Sequence, residues 1–466
     1  MTLPDRTADV VIIGAGVVGT AIARTLAAYS LDLVLVDAAG DVGTGTSKAN
    51  TAILHTGFDA KPGSLESRLL SRGCGLLRSY ASAARIPVER TGALLVAWTP
   101  DQVAALPGIE ANARRNGYLA MRPLAAAELY AREPALGPGA LGGLEIPDES
   151  IICPWTTPLA FATEAVAAGV RLVLSARVTG VAAAGDGTWE LATTRGPVRC
   201  RWVVNAAGLG GDEVDRLFGG GGFTVRPRRG ELIVFDKLAR SLLRSILLPV
   251  PTARTKGVLV APTVYGNVLL GPTAEDVPDR SDTATTAAGL RSLLAAGRRI
   301  LPGLAEEEVT STYAGLRAAT EHSDYQIRVD AARRYACAGG IRSTGLSASL
   351  GIAEHVAGLL GEAGLELKPR PGFAASPPVM PYIGEAGTRP YQDTAAIAAD
   401  PAYGQVVCHC ERVTRGEIRD ALASRVPPAD LGGLRRRTRA GNGRCQGFYC
   451  GAAVSRLLMA AGAGAP

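Results

Sequence analysis

The sequence predicts an α/β chain, α+β overall. A Rossmann-like nucleotide-binding domain receives an inserted antiparallel-sheet domain and is followed by a small C-terminal module with four cysteines. Three observations carry this expectation. A glycine fingerprint stands between two uninterrupted apolar runs near the N-terminus. The strand-then-glycine pattern returns twice, at residues 202–208 and 335–340, with short strand-like runs in between. Finally, Cys408-x-Cys410 and Cys445-x4-Cys450 follow a stretch rich in Pro and Gly.

The fingerprint is Gly14-x-Gly16-x-x-Gly19, directly after the apolar run at 10–13 and opening a helix-like run at 17–28. Continuous apolar runs suit strands buried on both faces of a parallel sheet. The glycines permit a tight turn and close approach to a pyrophosphate, which the helix N-terminus attracts. Asp37 ends the next apolar run, 23 residues after Gly14, where an acidic residue can accept hydrogen bonds from an adenosine ribose. Residues 46–57 are small, polar and bounded by glycine, as a loop along a large planar cofactor would be; a plain surface loop is the other reading.

Residues 91–98, 226–235, 257–261 and 267–270 are short strand-like runs separated by turn residues, suited to an antiparallel sheet. The expected division is a discontinuous nucleotide-binding domain at 1–85, 150–215 and 330–365. A substrate domain at 86–149 and 216–329, a connector at 366–405 and a module at 406–460 complete it. The connector follows from Pro369, Pro371, Pro377, Pro378, Pro381 and Pro390.

With 466 residues, 47% hydrophobic and 20% charged, the chain has the profile of a compact multidomain protein. The apolar stretch 336–361 is interrupted by Arg342, Glu354 and His355, which excludes it as a membrane span. No basic leader precedes the first strand, so a cytoplasmic, reducing location is expected, with a peripheral membrane complex allowed. Eight cysteines there point to ligands or core rather than disulfides. The net charge is +6, and from Glu366 onward 13 Lys/Arg stand against 8 Asp/Glu. Arg435, Arg436, Arg437, Arg439 and Arg444 crowd ahead of two cysteines, which suggests service to the cysteine site or a docking partner rather than a nucleic-acid groove.

The fingerprint, the block 47–57, residues 226–230, Lys256-Gly257, 271–273, 313–317 and 339–346 form an ordered series. It resembles the D-amino-acid-oxidase-like flavoenzyme superfamily, nearest its glycerol-3-phosphate dehydrogenase and L-2-hydroxyglutarate oxidase branch. The C-terminal module resembles the ferredoxin-like [2Fe–2S] domain of the anaerobic glycerol-3-phosphate dehydrogenase large subunit, found also in some opine-oxidising enzymes. The resemblance implies FAD held by Gly14, Ala15, Gly16, Val17, Val18, Gly19, Asp37, Thr46, Ser47, Asn50, Thr51, His55, Val178, Ala207, Gly208, Gly340, Ile341, Arg342, Ser343, Thr344 and Gly345. Ala318 and Thr344 stand where relatives often carry proline, which puts the exact substrate in question.

Such an enzyme moves hydride from a substrate carbon to flavin while a base takes the hydroxyl or amine proton. His55 and His322 are the histidine candidates, being outside the C-terminal helix-like run and the cysteine motif. Arg317, in the apolar setting of Ala314 and Leu316, is the candidate anion binder, with Lys256 beside it in role. Cys408, Cys410, Cys445 and Cys450 are soft ligands whose pairing suits a [2Fe–2S] cluster or tetrahedral zinc; the spacing favours the cluster over CxxC zinc knuckles. Cys74, Cys153, Cys200 and Cys337 read as core.

Expected partners are a small anionic substrate and an external electron acceptor or partner subunit, with no nucleic acid and no transmembrane segment. The leading expectation is a dehydrogenase of a hydroxy acid or polyol phosphate. Oxidation of a secondary amine, or a non-catalytic electron-transfer subunit, are the alternatives.

Overall fold

The computed structural model describes residues 7–251 and 257–462. Two large sheets organise it. In the first, of eight strands, Ala8–Ile13 runs parallel between Leu33–Val36 and Gly196–Asn205, with Arg171–Val173 beyond the former and Tyr335–Gly339 beside the latter. Every residue of Leu33–Val36 and of Tyr335–Gly339 is buried, as expected of strands covered on both faces. The chain thus re-enters this sheet at both later glycine signatures.

The helices Val17–Leu26, Leu65–Ala83, Thr156–Ala167 and Gly345–Glu362 pack together on one face. Two of them touch backbone to backbone. A Cβ on Gly73 would lie 2.6 Å from the Ser347 carbonyl oxygen, and one on Gly351 would lie 2.4 Å from that of Leu69. That close crossing fixes the N-terminus of Gly345–Glu362, which opens onto the site.

The second sheet has nine strands and is antiparallel except for Ile246–Pro249 against Ala93–Ala97. Its longest pairing joins Arg226–Phe235 to Val309–Ala319. Periodicity does not mark Val309–Ala319 in the sequence, because Ala314 and Gly315 blur its alternation. A three-stranded sheet of Ile53–Leu54, Val88–Glu89 and Ser150–Ile152 lies apart from both. The strand Gln326–Asp330 already pairs with Tyr335–Gly339, so the return to the first sheet begins ahead of residue 330.

The stretch 366–405 departs from a simple extended connector. Its first part is irregular but tied down, with Ser30 donating to the Lys368 carbonyl and Met380 to that of Ala84. Its second part forms Pro390–Gln392, Thr394–Ala399 and Pro401–Gly404, with Asp393 and Asp400 accepting from the Ala396 and Ala402 amides. These turns pack on the cysteine module, where Arg389, 2% exposed, donates to Glu417 Oε1 at 3.1 Å. Local Asp caps outweigh the prolines there. Among the described residues, no helix is long and apolar enough to cross a membrane.

Candidate active site and cysteine centre

The glycine turn closes as its spacing demands. Gly14 has φ +107°, and a Cβ there would stand 2.4 Å from the Ala206 carbonyl oxygen. A Cβ on Gly19 would stand 1.8 Å from the Gly14 oxygen, so only glycine lets the helix seat on the turn. Gly16 caps the helix without a side chain; instead Ser47 Oγ accepts from the Val17 amide at 3.0 Å. A Cβ on Gly16 would meet only Ser47 Oγ, at 3.2 Å, leaving an open backbone cradle. Asp37 bridges the turn, accepting from the Ala15 amide at 2.6 Å and the Ala39 amide at 2.7 Å. Burial raises its pKa from the ordinary carboxylate value, against the pull of those two amides.

Ala207 and Gly208 continue from the neighbouring strand, with the Ala207 amide held by Asn205 Oδ1 at 3.1 Å. Val178 opens the strand Val178–Ala183, next to Arg177, whose charge acts on Asp37. On the other side, Gly340 (φ +66°) turns the chain into Ile341, Arg342, Ser343 and Thr344 before the helix at Gly345. Two of these side chains leave the turn: Arg342 donates to the Ser323 carbonyl and Thr344 to Glu66 Oε1 at 2.6 Å.

The loop after Thr46 lies on the second sheet. Thr46 Oγ1 donates to the Leu316 carbonyl at 2.7 Å, and Tyr313 Oη to the Asn50 carbonyl at 2.8 Å. A Cβ on Gly315 would stand 2.1 Å from the Ala49 oxygen, which explains the glycine in that strand. Asn50 braces the loop internally, donating to Ser47 O and accepting from the Ala52 amide; Thr51 follows between them.

At the end of this loop His55 is held from two directions. Its amide donates to Ser347 Oγ at 2.8 Å, and its Nδ1 lies 3.1 Å from Glu149 Oε2. Glu149 is fully buried, and its other oxygen accepts from the amide and hydroxyl of Thr56 at 2.8 and 2.9 Å. Sequence reading missed Glu149, since a lone acid in a turn 94 positions away carries no pattern.

Arg317 stands on Val309–Ala319. Among the described residues its polar contacts are to the Thr273 carbonyl alone, at 3.4 and 3.5 Å, with no carboxylate. Burial, with the charge of Arg228 second, lowers its pKa from the ordinary guanidinium value. It remains a cation at neutral pH and is undercompensated.

Two candidates are not brought to this place. His322 sits at the surface, 40% exposed at its side chain, with Nε2 2.8 Å from the Gly222 carbonyl and Glu321 beside it. A turn contact explains it, so it leaves the list of catalytic candidates. Lys256 lies outside the described residues.

In the module, Cys408 and Cys450 are buried while Cys410 and Cys445 are half-buried. Cys408 lies against Cys450, and Cys410 against Cys445. The Gly441 amide donates to Cys408 Sγ at 3.4 Å. Gly443 must be glycine, because a Cβ there would stand 2.4 Å from that of Cys410. Two thiol pairs and an N–H···S contact are a donor set whose chemistry fits a two-iron cluster. Cys74, Cys200 and Cys337 are buried thiols, pushed up by burial to about 11, 12 and 12.

The arginine run does something the sequence did not reveal. Arg437 forks onto Asp41 of the nucleotide-binding domain at 2.7 and 2.8 Å, and Arg436 joins it at 2.7 Å. These side chains clamp the module to the rest of the chain rather than serving the cysteines. Asp41→Ala would strand Arg437 without its carboxylate, at a cost of about 3–5 kcal/mol for such a buried pair. The expected result is a lower Tm and faster chymotryptic cleavage after Phe373 or Tyr382, in the segment before the module; unchanged cleavage would refute the clamp.

Comparison with known proteins agrees with this geometry. Residues 9–359 match the family described as FAD dependent oxidoreductase, and residues 406–460 match the BFD-like [2Fe-2S] binding domain. A glycerol 3-phosphate dehydrogenase of Caloramator mitchellensis is 33% identical over 97% of this chain and 93% of its own length. An anaerobic glycerol-3-phosphate dehydrogenase subunit A1 of Haloferax volcanii is 27% identical over 96% of this chain and 81% of its own. The FAD-bound, dithionite-reduced L-α-glycerophosphate oxidase of Mycoplasma pneumoniae superposes with a TM-score of 0.75 at 28% identity, covering 80% of this chain and 98% of that one.

Proposed function

Because the chain belongs to the FAD dependent oxidoreductase family and ends in a BFD-like [2Fe-2S] binding domain, we propose that it dehydrogenates a small anionic hydroxy compound of the glycerol 3-phosphate or 2-hydroxy acid type. Glycerol 3-phosphate comes first, since the relatives that span nearly the whole chain are named for it. The observation that carries the substrate class is Arg317, a half-buried cation that, among the described residues, faces a carbonyl and no carboxylate. A bound phosphate or carboxylate would supply the missing charge and accept the planar fork.

Gly14 to Gly19, Asp37, Val178, Ala207 and Gly208 would hold the dinucleotide half of FAD. Thr46, Ser47, Asn50, Thr51 and the Gly340–Gly345 turn would line its flavin half. When bound, FAD supplies the hydride acceptor. His55 would take the hydroxyl proton of the substrate. Glu149, whose Oε2 lies 3.1 Å from Nδ1, would orient the ring, as an acid behind a catalytic histidine does. The strand carrying Arg317 also supports the Thr46–Asn50 loop, so the anion site and the flavin loop share one rigid wall. Cys408, Cys410, Cys445 and Cys450 would hold the cluster, which would supply one-electron transfer toward an external acceptor or partner subunit.

Anaerobic titration of the holoenzyme with glycerol 3-phosphate is the test. Bleaching of the flavin absorbance at stoichiometric substrate is expected. Bleaching by a secondary amine such as an opine, with none by glycerol 3-phosphate or 2-hydroxyglutarate, would overturn the reading.

A further inference from the structure

Between the flavin loop and the cysteine module lies a packed seam that neither the glycine cradle nor the cysteine loops require. At its centre is Arg439, 3% exposed and in left-handed backbone (φ +70°) at the end of the helix Leu431–Thr438. Its Nε donates to Glu411 Oε2 at 2.7 Å, and Glu411 is the residue after Cys410. Its guanidinium carbon stands 4.1 Å from the centroid of the Tyr265 ring and 5.9 Å from that of Trp155. Those two rings stack on each other, 4.9 Å apart and 18° from parallel.

The aromatic pair is itself anchored on the flavin side. Trp155 Nε1 donates to the Lys48 carbonyl at 3.0 Å, inside the loop that lies on the Arg317 strand. Tyr265 Oη lies 2.8 Å from Cys153 Sγ. The contacts therefore run without a break from the residue beside a cluster ligand, through Arg439 and two stacked rings, to the flavin loop.

A buried arginine in left-handed backbone is an expensive way to glue two surfaces. An apolar residue would pack the same seam at lower cost, and Arg437 on Asp41 already clamps the module. The cost suggests a role beyond adhesion. We propose that Arg439 is a positioning residue for electron transfer from flavin to cluster: it locks the module onto the Trp155–Tyr265 platform, and that platform bridges to the flavin loop. This rests on the reading that electrons leave through the [2Fe–2S] cluster.

The electron count closes. Oxidation of one substrate to its carbonyl product delivers a hydride, two electrons, to FAD, and the hydroxyl proton goes to the base. Reduced flavin then gives one electron to the oxidised cluster, so flavin loses one and the cluster gains one. The external one-electron acceptor empties the cluster, and the second electron follows the same route.

The test compares the wild-type holoenzyme with Arg439→Leu and Arg439→Lys in anaerobic rapid mixing. Flavin bleaching is followed by absorbance and cluster reduction by freeze-quenched electron paramagnetic resonance. Bleaching by glycerol 3-phosphate should match wild type in Arg439→Leu, while cluster reduction slows by about tenfold or more, the scale of a small displacement of reacting groups. Arg439→Lys keeps a charge on Glu411 but loses the planar stack, so it should recover only part of the rate.

Iron content and resistance to chymotrypsin after Phe373 and Tyr382, measured on each variant, show that the module is folded and docked. A second variant, Trp155→Phe, keeps an aromatic ring but loses the bond to Lys48; slowed cluster reduction with a docked module is expected there too. Reducing the flavin by a laser flash with EDTA as the sacrificial electron donor, without substrate, repeats the comparison independently of the substrate reading. Equal cluster reduction in wild type and Arg439→Leu under photoreduction would overturn the proposal. Failure of glycerol 3-phosphate to bleach the wild-type flavin would instead count against the substrate assignment alone.

Discussion

Replacing His55 by alanine is expected to lower kcat by about 10²–10⁴-fold, the span of a positioned general base. Bound FAD should stay near the wild-type level, because the ring is not part of the glycine cradle. Glu149→Gln keeps the size of the side chain and its contact with Thr56, so an intermediate loss is expected. The order of these two variants carries the argument. If Glu149 acts through His55, the double variant should be no slower than His55→Ala alone, because residues that work as a unit do not add. A kcat within a few-fold of wild type in His55→Ala would remove it from the chemistry.

Removing the charge of Arg317 should have a comparably large effect, through binding. Arg317→Ala is expected to lower kcat/KM for glycerol 3-phosphate by about 10²–10³-fold, the range for losing a buried, charge-assisted contact. Arg317→Lys should recover a minor part, since an ammonium is a point charge and cannot fork onto two oxygens. An uncharged polyol provides the control, because it never used the guanidinium. The two enzymes should differ little on such a substrate. An equal loss on charged and uncharged substrates would mean that Arg317 supports the wall between Gly230 and Pro272 and does not read the anion.

The dinucleotide fold was legible because its requirements are local. Gly14 is required by its own positive φ and Gly19 by the Gly14 carbonyl five residues before it, and the strands around them are almost wholly buried, so spacing and hydropathy report them directly. The four cysteines stand out because each short spacing lies within one loop, although the thiols that meet, Cys408 with Cys450 and Cys410 with Cys445, join the two loops. Arg317 could be singled out by its apolar neighbours, although the strand that carries it could not.

The rest turned on placement. His322 has the right chemistry and fails on placement, because its turn points it to a surface carbonyl. The arginine run suggests service to the cysteine site or a docking partner, and sequence does not choose between them; Arg436 and Arg437 reach Asp41, almost 400 positions earlier.

The sequence by itself therefore determined the fold class, the glycine turn and the presence of a four-cysteine module at the C-terminal side. These depend on short-range sterics and on the chemistry of single side chains. Only the tertiary structure decided that Glu149 stands behind His55 and that Arg317 meets no carboxylate among the described residues. It also decided that Arg439 joins the module to Trp155 and Tyr265. Such pairings are set by which sheets and loops pack together, and no spacing in one chain records them.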